Sequence, residues 1–75
     1  MVTFEVEAEV TRRALSENLR KLRKSKALAQ ERLALEAGVD RTVVSKIERE
    51  VANPSLEILI RLAIVLDVHV TELLK

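Results

Sequence analysis

One glycine and one proline, Gly38 and Pro54, are the only residues of their kind in this chain of 75 residues. A β-sandwich or barrel needs turn signals roughly every 8–12 residues, which so few punctuating residues cannot supply. The sequence therefore predicts an all-α fold with short connections. It has no Cys, which excludes disulfides, thiolate nucleophiles and Cys-based zinc sites. Its one histidine, His69, cannot build a metal cluster or a catalytic triad. Hydrophobic residues make up 48% of the chain, but Phe4 is its only aromatic, so the core must be aliphatic. A chain this short hides only about 60% of its unfolded surface, and such a core is marginal unless something adds burial.

The net charge of +1 conceals an asymmetry. Residues 1–11 carry Glu5, Glu7 and Glu9, or −3; residues 12–49 sum to +6; residues 50–75 sum to −2. A basic middle segment can attract a polyanion while the whole chain stays nearly neutral. The N-terminus lacks a basic stretch followed by a long apolar one, so it does not read as a signal peptide. The apolar stretches between Leu56 and Leu66 are too short to cross a membrane. The expectation is a soluble cytoplasmic protein with no membrane partner.

Residues 2–10 alternate apolar and polar, the period of a half-buried strand. They predict a short N-terminal β-strand or arm over residues 1–11, with a backward extension of the first helix as the competing reading. A lone strand would need a partner. Thr11 offers an N-cap for a helix carrying Leu15, Leu19 and Leu22 and ending near Lys26. A second helix runs from Gln30 to Ala37, closed by Gly38, and Asp40 caps a third from Arg41 to about Arg49. Ser55 caps a fourth, Leu56 to about Leu66, and Thr71 caps a last short turn holding Leu73 and Leu74. On the third helix Val44 and Ile47 share one face, while Thr42, Ser45, Lys46 and Arg49 lie opposite.

The segment from Gln30 to Ile47 resembles the helix-turn-helix domains of the phage-repressor and Cro type, the XRE family. Gln30, Ala34, Gly38, Val44 and Ile47 match that family's pattern in residue type and spacing. The spacing has a physical reason. Ala34 stays small where two helices touch, Gly38 turns the chain between them, and Val44 and Ile47 bury the inner face so that the outer face can enter a major groove. Arg20, Arg23, Glu48 and the run from Pro54 to Glu57 also look like the family, and the resemblance covers about residues 13–74.

The resemblance implies a five-helix, lambda-repressor-like domain over residues 12–75 that binds double-stranded DNA and regulates transcription, most simply as a repressor. It implies that Gln30 holds a phosphate or braces the recognition helix. Arg41, Thr42 and Lys46 would read base edges, and Ser45, Arg49 and Asn53 would contact phosphate or backbone. Arg23 and Glu48 match a pair that forms an internal salt bridge in relatives. Ala29, Val43, Glu50, Ile64 and His69 depart from the usual pattern; Ala29 stands where Ser or Thr normally caps the second helix. No Ser, Thr or carboxylate has a general-base partner, so no enzyme, cofactor, metal or small-molecule ligand is expected.

Between Leu56 and Leu66, 9 of 11 residues are apolar. A helix apolar almost all round must be covered on more than one side. One cover is the rest of the domain. A second copy of the chain is the other, with Ile58, Ile60, Ile64, Val65 and Val70 at the homodimer interface. Such a dimer would place two recognition helices about 34–36 Å apart on a palindrome. The alternative is a helix-turn-helix fold that has become a protein-interaction or dimerisation module.

Overall fold

The computed structural model describes all 75 residues, which form helices, turns and irregular connections, with no strand. In chain order these are α1 (Phe4–Ser25), α2 (Gln30–Ala37), α3 (Val43–Glu48), α4 (Leu56–Val65) and a 3-10 turn (Val70–Leu73). The expected fifth helix is thus a single 3-10 turn, and the third helix begins two residues later than its sequence suggests.

The alternating stretch at residues 2–10 is not a strand but the beginning of α1. Thr3, not Thr11, caps this helix: its hydroxyl oxygen accepts from the Val6 N–H at 3.2 Å. Glu5 and Glu7 occupy the first turn, where negative charge suits the helix dipole. A strand here would have nothing to pair with, whereas extending an existing helix gains one hydrogen bond per residue fixed. As a result the alternating apolar residues spread round the helix, and Val2, Phe4, Val6 and Val10 are exposed. At about 1.5 Å per residue the 22 residues of α1 span about 33 Å. That length accounts for the elongated 39 × 21 × 20 Å outline.

The core is aliphatic throughout. Leu15 and Leu19 of α1, Leu33, Ala34 and Ala37 of α2, Val44 and Ile47 of α3, Leu59, Leu62 and Ala63 of α4, then Leu66 and Leu73, form one cluster. Ala34 is fully covered, in keeping with a position that must stay small between packed helices. Gly38 ends α2 at φ +69°, a left-handed conformation in which a side chain is strained. A Cβ there would meet Arg61 Nη1 at an ordinary 3.5 Å, so backbone conformation and not space demands the glycine. Ser55 caps α4 as expected, accepting from the Ile58 N–H at 3.2 Å.

One other cap differs from expectation. His69, and not Thr71, caps the last turn: its Nδ1 accepts from the Thr71 N–H at 3.3 Å. Leu56, the first residue of α4, faces outward. With no side chain at position 29 able to accept, α2 begins without a side-chain cap. The chain also turns at three non-glycine residues of positive φ, Ala27, Glu50 and Asp67, each just after a helix.

Candidate nucleic-acid interface

The third helix is only 6 residues long, too short to hold itself in place. Its two ends are secured differently. At the start, the Asp40 carboxylate accepts from the Thr42 N–H at 2.8 Å and from the Thr42 hydroxyl at 2.6 Å. The Thr42 hydroxyl and then its amide hold the Asp40 carboxyl below its ordinary pKa. Asp40 thus organises the turn into α3 from two residues further out than a conventional cap.

At the far end Glu48 is buried, its side chain only 1% exposed. Its carboxylate receives Arg23 in a two-pronged contact, Nε to Oε2 at 2.8 Å and Nη2 to Oε1 at 3.0 Å. Gln30 Nε2 donates to Oε1 at 3.0 Å, and Arg20 Nε at 3.3 Å. The Glu48 backbone carbonyl, one of those a helix end leaves unsatisfied, accepts from Ser16 Oγ at 2.7 Å and Arg20 Nη2 at 3.2 Å. Arg23 also donates to the Leu28 carbonyl at 2.8 Å. The Glu48 carboxylate therefore ties α3 to α1 and α2, and Arg23 carries the tie on to the α1–α2 connection. Burial alone would raise the Glu48 pKa, but hydrogen bonds from Arg23 and Gln30, the Arg23 charge and Arg20 together outweigh it, and the pKa lies below its ordinary value. The Glu48 hydrogen bond raises Arg23 correspondingly, against the opposing effect of its own burial. No buried side-chain nitrogen or oxygen is left without a partner.

With its back clamped, α3 presents Thr42, Ser45, Lys46 and Arg49 on the other side. Lys46 and Arg49 are exposed and carry no ion pair; Ser45 is half-buried. Arg41 is exposed and rests against Glu31 of α2 at 3.4 Å, a loose surface pair of little energetic weight. Gln30 is occupied by Glu48, and so lies on the bracing side, although it also stands at the uncapped start of α2. Asn53 faces elsewhere: its side-chain oxygen accepts from Arg12 Nε at 2.9 Å and from Arg12 Nη2, binding the α3–α4 loop to α1.

The structure thus brings Arg41, Thr42, Ser45, Lys46 and Arg49 together and sets Asn53 apart. The sequence reading missed Ser16, and left Arg20 without a role. The signal was available: Ser16, Arg20 and Arg23 form one stripe along α1 at helical spacing, beside the leucine stripe. The proposed interface residues of α4 also divide. Ile60 and Ile64 are exposed and, with Ala63, Val68, His69 and Val70, line one shallow apolar notch. Ile58 and Val65 lie on the other flank, packed against the core.

A short polar-faced helix braced across a glycine turn on a second helix defines a helix-turn-helix unit, and known proteins agree. The helix-turn-helix family profile HTH_3 matches residues 19–73, and the chain belongs to this family, of the XRE type. It is 43% identical over 56 residues to the HTH-type transcriptional regulator SlrR of Bacillus subtilis (strain 168), a match covering 73% of this chain and 37% of SlrR. It therefore spans well under half the length of that relative. The restriction-modification controller protein C.AhdI from Aeromonas hydrophila superposes with a TM-score of 0.78 at 40% identity, covering 83% of this chain and 94% of that one. The biofilm master regulator SinR, solved in complex with DNA, superposes with a TM-score of 0.77 at 37% identity, covering 81% of this chain and 98% of the chain in that structure. These relatives are regulators of transcription and not enzymes. No helix is long and apolar enough to cross a membrane.

Proposed function

We propose that this chain is a sequence-specific DNA-binding regulator of transcription, acting as a repressor on a palindromic operator and binding it as a homodimer. The observation that carries this reading is the division of α3 into a clamped back and an open front. The front holds Lys46 and Arg49 free of any ion pair. A rigidly held helix with unpaired cations outward is what a major groove accepts. The resemblance to SinR solved in complex with DNA supports it.

In this account Arg41 exchanges its exposed contact with Glu31 for a guanine edge, Thr42 and Lys46 read neighbouring bases, and Ser45 and Arg49 contact phosphate. The open amides at the start of α2 add a phosphate contact beside Gln30. Asn53 acts through Arg12, fixing the loop. The homodimer forms through the exposed row on α4, Ile60 and Ile64, with Val70 beside them. Ile58 and Val65 serve the core of the same helix.

Arg41→Ala should cost about 1–3 kcal/mol in operator affinity and relax one base position. A gel-shift series with no preference for any duplex over random DNA contradicts the reading. A second reading, a protein-interaction module on the same fold, is favoured by one observation: Leu56, Ile60 and Ile64 form an exposed apolar row along α4, with Ile64 71% exposed. It predicts that Lys46→Ala together with Arg49→Ala leaves function intact, whereas the DNA reading predicts its loss.

A further inference from the structure

We propose that the first two turns of α1 form a docking arm that crosses, antiparallel, the same turns of a second copy of this chain. The arm is an odd feature for so small a protein. Phe4, the chain's one aromatic side chain, is 76% exposed on it. Phe4 and Ala8 continue the stripe that Leu15, Leu19 and Leu22 bury further along α1. The stripe therefore runs out to the edge of the domain, where Phe4 is left largely uncovered. Along it lies an open, mostly apolar hollow lined by Phe4, Ala8 and Leu15 of α1 on one side and by Ala52, Pro54, Leu59 and Leu74 on the other.

A projection and a hollow side by side on one face make that face self-complementary. Rotation about a two-fold axis sets each arm over the other chain's hollow, which is the condition for a closed, isologous pair. Charge selects the direction. The arm carries Glu5, Glu7 and Glu9 and no basic residue, and Arg12 and Arg13 follow in the next turn. A parallel pair would stack acid on acid. An antiparallel crossing at Ala8 sets each arm's Glu5 against the other's Arg12, whose only partner within the chain is the neutral side chain of Asn53. Ala8 at the crossing is small enough for close approach. The arm is distinct from the α4 row and does not depend on DNA binding.

The absence of Cys makes the test simple. Ala8→Cys in the full chain should form a covalent dimer on mild oxidation, because a disulfide needs Cα atoms within about 7 Å. Val6→Cys, on the other side of the helix, should do so far less. In an Ile64→Glu background, which removes the α4 contact, Phe4→Ser changes an exposed side chain and should leave helicity by circular dichroism intact while weakening the remaining self-association about 100-fold in sedimentation, as two Phe4 side chains lose burial. Ile64→Glu tests the α4 surface separately. Equal cross-linking at positions 6 and 8, unchanged association of Phe4→Ser, or a chain monomeric at high micromolar concentration overturns the arm.

Discussion

Two carboxylates hold the two ends of α3, and they do so by opposite means. Asp40 is exposed and bonds only to Thr42, two residues away. Glu48 is buried and draws on residues 18 to 32 positions distant in sequence. Both are held below their ordinary pKa, one by a local turn, the other by a network that overcomes its burial. The start of α3 is thus a property of a tripeptide, and its far end is a property of the whole domain. A helix of 6 residues needs both: a local turn to start it and a tertiary clamp to fix its direction.

The comparison is broken most severely at Glu48. Glu48→Ala leaves Arg23, whose side chain is only 11% exposed, without its partner. Removing one member of such a pair costs about 3–5 kcal/mol, read as a lower urea midpoint. The pH dependence has a definite sign. A depressed carboxylate adds stability above its unfolded value, here 4.5, and loses it as pH falls through its lower folded value. The native chain should therefore lose stability below about pH 4.5, and Glu48→Gln should flatten that slope. Asp40 titrates in the same direction, but Asp40→Asn should move the midpoint much less.

On the open front of α3 the expected changes are in binding, with stability unaffected. Lys46→Ala and Arg49→Ala should each weaken the operator complex; a residue that meets phosphate should also reduce the slope of log affinity against log salt by about 1. A fall in stability instead would mean that these side chains belong to the clamp. The smallest effect is at the turn out of α3. Glu50 sits at φ 64°, and Glu50→Gly should stabilise the fold by about 1 kcal/mol, because a Cβ in that conformation is strained.

What was legible in the sequence follows the same division between local and tertiary causes. The limits of α2, its end at Gly38 and the cap at Ser55 were readable because each depends on neighbours in sequence. The Arg23–Glu48 pair was readable only through family resemblance. Its supporting partners Ser16 and Arg20 share a helical stripe with Arg23, but the stripe does not say that a carboxylate 28 to 32 residues away lies against it. The N-terminal strand was misread because its two-residue alternation is a strand signal only if a partner strand exists; Thr3 and the adjoining helix decided otherwise. The bond between Asn53 and Arg12 was not legible because the two lie 41 residues apart.

Selection of bound sites from a random duplex pool tests the central claim most directly. The account predicts enrichment of a two-fold symmetric motif with half-sites about one helical turn apart, and loss of one base preference in each half-site with Arg41→Ala. A pool that emerges without an enriched motif, from a chain that is folded, would contradict it.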